Sequence, residues 1–303
     1  MNPSPRPAAI EFEQELLYIY DLYAHGQLDR RGFLERAAKF AVGGITAAAL
    51  LTMLSPHYAW ATQVDPNDRR LQTEYLKFPS PDGHGEGRGL LARPAGATRP
   101  LPVVLVVHEN RGLNPYVEDV ARRVAVAGFV AFAPDALYSL GGYPGNDDEG
   151  RALQSRLDRA KVVEDFVAAA RFLHQRPESN GALGVTGFCF GGGMANTLAW
   201  RLPDIVKAAV PFYGGQPPAA EVPKIKASLL LHYAALDERV NAGWPAYEAA
   251  LKAADVDHEA HFYPGVNHGF HNDSTPRFDP AAAGLAWTRT IDFFRAKLSP
   301  SPA

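Results

Sequence analysis

The stretch that most constrains this chain is Gly184-Val185-Thr186-Gly187-Phe188-Cys189-Phe190-Gly191-Gly192-Gly193-Met194. A β-rich run from Ala182 to Thr186 leads into Gly-x-Cys-x-Gly, and an alanine-rich segment from about Met194 to Trp200 reads as helix. Strand, sharp turn and helix is the layout of a nucleophile elbow, in which one strained residue is pushed out at the top of a sheet and flanking glycines let strand and helix approach. The helix N-terminus beside it favours thiolate over thiol, which makes Cys189 a candidate nucleophile. A lone cysteine also serves elsewhere as a small buried hydrophobe.

The remainder alternates strand and helix. Thr73 to Phe78 and Gly89 to Arg93 bracket the turn-rich Pro79-Ser80-Pro81-Asp82-Gly83 and read as a hairpin. Val103 to Val107 is an unbroken apolar run, the pattern of a buried parallel strand, and it ends in the polar cluster His108-Glu109-Asn110-Arg111-Gly112. Further strands are expected at Phe129 to Pro134, Ile205 to Tyr213, Ser228 to Tyr233 and His258 to Tyr263. Helices are expected at Val117 to Ala127, Asp147 to Gln175, Pro245 to Ala254 and Ala281 to Lys297, with a Gly- and Tyr-rich loop from Asp135 to Asn146. Right-handed crossovers then build a single-domain α/β architecture, one mostly parallel sheet with helices on both faces.

Ahead of this unit, residues 1–61 read as a separate region. Asp29-Arg30-Arg31-Gly32-Phe33-Leu34-Glu35 carries a twin-arginine pattern, a Gly/Ala-rich apolar run follows from Phe40 to Leu54, and Ala59-Trp60-Ala61 offers a small-x-small cleavage site. This predicts passage through the twin-arginine export machinery to the periplasm. The apolar run is shorter than the roughly 20 residues of a membrane span. Asp29 and Glu35 are acidic where such signals usually are not, and Glu11 to Gln27 precedes the arginines as an amphipathic extension. The alternative is a cytoplasmic protein whose uncleaved arm packs on the domain or on another copy. Residues 62–70, with Pro66, read as a linker, and 71–303 as the α/β domain.

A net charge of -3 over 303 residues gives no footprint for nucleic acid, and one cysteine excludes an internal disulfide. G-x-G-x-x-G is absent, so Gly191-Gly192-Gly193 is better explained by the elbow than by a phosphate site, and no cofactor is implied. His258 and His261 fall on opposite faces of a strand with no carboxylate at ligand spacing, and no metal is expected.

A cysteine nucleophile needs a base and a group to orient that base. Asp237 follows the strand ending at Tyr233, and His268 follows the strand ending at Tyr263, in Pro264-Gly265-Val266-Asn267-His268-Gly269-Phe270. The order Cys, Asp, His along strand ends brings all three to one rim. Taken singly, Asp237 also reads as a turn cap and His268 as a surface loop residue.

Gly-Phe-Cys-Phe-Gly-Gly, the aspartate after Leu-Leu-Leu-His-Tyr-Ala-Ala-Leu, and Asn-His-Gly-Phe resemble the dienelactone hydrolase family over roughly Leu71 to Lys297. The resemblance implies an α/β-hydrolase fold, a triad of Cys189, Asp237 and His268, and hydrolysis of a small ester or lactone through an acyl-thioester. It implies that Glu109 modulates the nucleophile and that the backbone N–H groups of Asn110 and Phe190 form the oxyanion hole. From the residues alone, Glu109 also reads as a salt-bridge partner of Arg111 or a helix cap. The family's substrate-carboxylate arginines are matched here by Leu140 and Asn272, which form no charged clamp. Arg111 and His271 are the candidates for a replacement charge, and Tyr213 for lining the pocket. The competing reading is an exported binding or stress-related protein on the same scaffold with little hydrolysis.

Overall fold

The computed structural model describes residues 11–298. The first ten residues of the expected signal region and the last five of the α/β domain lie outside the described residues. The α/β unit holds β1 (Leu71–Ser80), β2 (Gly85–Pro94), β3 (Leu101–Val107), β4 (Val130–Pro134), β5 (Ser179–Phe188), β6 (Val206–Phe212), β7 (Ser228–Ala234) and β8 (His258–Tyr263). They form one sheet in the order β1-β2-β4-β3-β5-β6-β7-β8. The hairpin β1/β2 and the β2/β4 pair are antiparallel, and from β4 through to β8 all pairings are parallel.

Strand alternation sorts the core into two layers. Val103, Leu105 and Val107 of β3 face one layer, and Val104 and Val106 the other. Helices α6 (Arg159–His174), α7 (Phe190–Arg201) and α9 (Trp244–Ala253) cover the first; α4 (Pro115–Val126) and α10 (Pro280–Leu298) cover the second. The short α8 (Glu238–Asn241) follows β7. Because both faces are covered, the central strands are predominantly apolar, with Thr186 of β5 and His232 of β7 as buried polar residues among them.

Two expectations about helices change. The segment 147–175 is two helices, α5 (Asp147–Ser155) and α6, because Asp158 adopts extended backbone and caps the N–H groups of Ala160 and Lys161. The helix after the elbow starts at Phe190, four residues earlier than its apolar pattern suggests. Gly191 makes that start possible: a Cβ there would lie 2.3 Å from the Val107 carbonyl oxygen and 2.7 Å from that of His108. Gly187 is held to glycine in the same way, by the Gly191 carbonyl oxygen at 2.3 Å. Gly191→Ala is therefore expected to lower stability by about 3 kcal/mol or more, read as a lower urea midpoint at unchanged slope.

The N-terminal arm folds into α1 (Gln14–Ala24), α2 (Arg30–Ala37) and α3 (Ala47–Leu54). Arg30 and Arg31 open α2, behind Asp29, whose side chain caps the Gly32 N–H. The three helices share their own apolar cluster, built on Leu17, Tyr20, Tyr23, Phe33 and Leu54, with no residue of the α/β unit in it. Residues 62–70 form turns, and Asp119 pins them by accepting from the N–H groups of Gln63 and Val64. Among the described residues no helix is long and apolar enough to cross a membrane.

Candidate active site

The elbow has the predicted strain. Cys189 sits at φ 56° and ψ -113°, between β5 and α7, and its N–H is anchored on the Phe212 carbonyl at 3.1 Å. A residue with a Cβ tolerates this conformation only where its surroundings enforce it. The side chain is half-buried at the carboxyl edge of the sheet, where open α/β folds bind ligands. Phe190 is the first residue of α7, so its N–H is among those with no partner inside the helix, and Asn110 lies in the turn after β3.

His268 and Asp237 meet this thiol as the order along the chain requires. Asp237 Oδ2 accepts from His268 Nδ1 at 2.5 Å, with both side chains buried, while Asp237 Oδ1 caps the Val240 N–H of α8. The capping and catalytic readings of Asp237 thus describe the two oxygens of one carboxylate. The Tyr213 ring packs against the imidazole, with ring centroids 4.8 Å apart and the planes tilted by 57°. Tyr213 itself has φ 38° and is buried.

A third imidazole reaches the site from the arm. His25, just past the end of α1, brings Nε2 to 3.2 Å from Cys189 Sγ and 3.2 Å from His268 Nε2. Nothing local in the sequence marks it, because 164 residues separate it from Cys189. Its Nδ1 is held by the Asp21 carbonyl at 2.7 Å and by the Asp21 carboxylate at 3.2 Å. Ala24 adds a carbonyl that accepts from the Asn110 side chain at 2.9 Å.

The charges of this cluster reinforce one another. Burial alone would push the Cys189 thiol up, but His25 and His268 reverse this and hold it well below the ordinary thiol range. Burial likewise opposes charge on His268, yet Cys189, Asp237 and Asp21 push it up to about 10. These directions favour a thiolate beside an imidazolium, a coupled pair whose titration belongs to both. Glu109 is buried behind the thiol and accepts from Asn272 Nδ2 at 2.8 Å. Burial and the Cys189 charge both push its carboxyl up, so the protonated form is favoured beside a thiolate.

Two candidates leave the pocket. Arg111 is buried and commits its guanidinium to Asp147 at 2.7 Å, away from any substrate. His271 stacks on Phe188 at 5.0 Å, meets the Tyr116 hydroxyl at 2.7 Å, and is kept neutral by burial and by Arg123. Neither supplies the replacement charge expected of it. Arg239 and Arg277 line a cavity of about 310 Å³ together with Asp237, His268 and, from the arm, Leu17 and Asp21. Their signal in the sequence is position alone: Arg239 stands two residues past Asp237, in α8, and Arg277 nine residues past His268.

Among the described residues, the one set of side chains close enough to share a metal ion is His25, Cys189 and His268, whose ligand atoms lie within 4.8 Å of one another. Each imidazole is backed by a carboxylate, as zinc ligands usually are. Against a cation stands Arg239, whose Nη2 is 3.2 Å from His25 Nε2 and 3.4 Å from His268 Nδ1.

The model of the dienelactone hydrolase family matches residues 88–298, more than half the chain and every residue of the Cys189 site except those from the arm. The chain belongs to the dienelactone hydrolase family. A second model, described as YqhI-like, matches residues 4–39, which covers α1 and α2. An Escherichia coli K12 protein named as a hydrolase fragment, YghX, is 60% identical over 114 residues, 38% of this chain and 97% of its own length. A Synechocystis protein named as a carboxymethylenebutenolidase is 32% identical over 229 residues, covering 69% of this chain and 92% of that one. Among solved structures, one titled as a dienelactone hydrolase from Klebsiella pneumoniae superposes with a TM-score of 0.64 at 26% identity, over 74% of this chain and 98% of its own. In this dienelactone hydrolase family member the elbow, the Asp237 and His268 loops and Glu109 all lie in the matched region, and His25 lies outside it.

Proposed function

We propose that this dienelactone hydrolase-like protein cleaves small carboxylic esters or lactones through Cys189. The observation that carries the reading is one chain of contacts: a strained thiol at the elbow, held ionised by imidazole, with His268 in turn held by Asp237 at 2.5 Å. The Cys189 thiolate attacks the substrate carbonyl carbon, and the N–H groups of Asn110 and Phe190 receive the charge on its oxygen. Collapse expels the alkoxide, which takes a proton from His268 and leaves an acyl-thioester. His268 then removes a proton from water, whose oxygen attacks the thioester and releases the acid, returning the sulfur to thiolate. Asp237 keeps the ring orientation and steadies its positive form. Glu109 tempers the resting thiolate, and Tyr213, which is buried rather than lining the cavity, packs its ring against His268.

The test is a panel of short neutral p-nitrophenyl esters and lactones. Release of free acid is expected, and Asp237→Asn is expected to lower kcat/KM by about 10²-fold or more with little change in KM. A reactive Cys189 without turnover of any panel member would instead support the second reading, a binding protein on this scaffold. The arm is the observation that favours that second reading, since it holds His25 Nε2 within 3.2 Å of Cys189 Sγ, in direct contact with the nucleophile.

The twin-arginine route is part of the same proposal. Cleavage after Ala61 would remove α1, α2 and α3 together with His25, and so uncover Cys189. N-terminal sequencing of periplasmic protein should then start after Ala61; a mature chain retaining the arm would contradict it.

A further inference from the structure

Three metal-ligating side chains converge beside the elbow. His25 Nε2 is 3.2 Å from Cys189 Sγ and 3.2 Å from His268 Nε2, and the three ligand atoms lie within 4.8 Å of one another. Two of them belong to the α/β unit and the third to the arm, so sequence spacing hides the set: 164 and 243 residues separate His25 from its partners. The distances approach those around tetrahedral zinc. With Zn–N of about 2.05 Å and Zn–S of about 2.3 Å, two nitrogens on tetrahedral corners lie about 3.3 Å apart, and a nitrogen and a sulfur about 3.6 Å apart. His25 meets both values with shifts of roughly 0.1 and 0.4 Å.

Both rings are oriented from behind, at the nitrogen that faces away from the sulfur. Asp237 Oδ2 accepts from His268 Nδ1 at 2.5 Å, while His25 Nδ1 donates to the Asp21 carbonyl at 2.7 Å with the Asp21 carboxylate at 3.2 Å. Each ring therefore turns Nε2 toward the cluster, which is how metal-bound histidines are held. The supporting acids are fixed in turn, Asp21 by Arg277 at 3.1 Å and Asp237 by the Val240 N–H at 3.2 Å. His268 also lines the cavity of about 310 Å³, which gives an ion a way in. Arg239 is the group that must give way, with Nη2 3.2 Å from His25 Nε2 and 3.4 Å from His268 Nδ1. Its side chain is 37% exposed and its contact with Asp21 is a loose 3.6 Å, so the guanidinium can turn into solvent at little cost.

We propose that Cys189, His268 and His25 form a binding site for one divalent cation of the zinc class, with water at the fourth corner, and that the bound ion pins the arm across the thiol. One sulfur and two imidazole nitrogens suit a borderline-soft dication such as Zn²⁺, whereas Mg²⁺ and Ca²⁺ take oxygen ligands. The ligands bind as thiolate and neutral imidazoles, and any protons they carry pass to solvent. An ion held there engages the Cys189 sulfur and the His268 nitrogen together, so metal binding and ester hydrolysis exclude each other. The site does not require Cys189 to turn over any ester, so it stands or falls separately from the hydrolase reading.

The experiment titrates the untagged, metal-free chain with Co²⁺, a spectroscopic stand-in for Zn²⁺. One Co²⁺ per chain is expected, with visible bands of tetrahedral intensity, a sulfur-to-metal charge-transfer band in the near ultraviolet, and two strongly shifted ring N–H signals by NMR. One equivalent of Zn²⁺ should abolish all three, and excess Mg²⁺ none. Cys189→Ala should lose the charge-transfer band. His25→Ala should lose one shifted N–H signal and bind Co²⁺ about 100-fold or more weakly, at least the loss that removing an outer-shell partner causes. Asp21→Asn keeps every ligand, so it should bind about 10-fold or more weakly with the spectrum unchanged, which keeps the test valid if the His25 variant fails to fold. Arg239→Met should bind at least as tightly as the intact chain. Octahedral bands, a charge-transfer band that survives in Cys189→Ala, undiminished affinity in His25→Ala or Asp21→Asn, or weakened affinity in Arg239→Met would each overturn the site. The contacts at 3.2 Å would then be hydrogen bonds and nothing more.

Discussion

Cys189→Ser is expected to lower kcat/KM for a neutral p-nitrophenyl ester by about 10³-fold or more while the unfolding midpoint moves little. The alcohol of serine is far less acidic than a thiol, so the charge that His25 and His268 supply cannot ionise it to any useful extent. The side chain keeps its size and its strained backbone, which separates a chemical loss from a structural one. Cys189→Ala should fall at least as far. A serine variant retaining more than about a tenth of the rate would mean that sulfur nucleophilicity is not what the site uses.

The second large effect concerns ionisation. The chain has a single cysteine, so the ultraviolet thiolate band of the folded protein, after subtraction of Cys189→Ala, reports one sulfur. A group whose native pKa is depressed is charged above that native value, so the band should be full at neutral pH and fade only as pH falls through it. His268, pushed up to about 10, stays positive until pH climbs through that value, so the ion pair persists between the two. Replacing both His25 and His268 by alanine leaves burial to act alone, and burial pushes the thiol up. For comparison, about 3% of a free thiol with a pKa of about 8.5 is thiolate at pH 7. The double variant should show that fraction or less, a loss of roughly 30-fold in the band. A band that follows a free thiol in the intact protein would remove the electrostatic basis of the mechanism.

These effects were legible in the sequence to different degrees, for physical reasons. Cys189 announces itself through neighbours: a Cβ at Gly187 or Gly191 would lie 2.3 Å from a backbone oxygen, so neither admits a side chain and a strand-to-helix elbow leaves a readable mark. Asp237 is readable because it sits a few residues past the apolar strand β7, and His268 because its loop follows the short, more polar edge strand β8 and completes the order Cys, Asp, His. The central strands are clear, since burial on both faces makes them predominantly apolar. The break between α5 and α6 is not, because a single aspartate cap overrides apolar spacing on either side of it. Arg111 and His271 look like pocket residues by position, but a side chain's direction depends on partners, Asp147 for one and Tyr116 for the other, that are distant in sequence.

The arm is where sequence reading stopped short. As an alternative to export, packing on the domain was an expected outcome for this segment. Nothing in it pointed to His25 reaching Cys189 or to Asp21 lining the adjacent cavity. Such contacts join residues about 160 to 260 apart and follow no periodicity, so only the folded arrangement brings them into view. The match of residues 4–39 to a separate family model fits a unit with its own apolar cluster that has been set across a hydrolase site.

The central claim is that Cys189 carries the acyl group between attack and release. Rapid-quench mass spectrometry of the intact chain turning over a p-nitrophenyl ester tests it most directly. The account predicts a mass increase equal to the acyl group, located on the peptide containing Cys189, sensitive to hydroxylamine and missing in Cys189→Ala. Turnover with the acyl group found on another residue, or Cys189→Ala hydrolysing the ester at the rate of the intact protein, would contradict it.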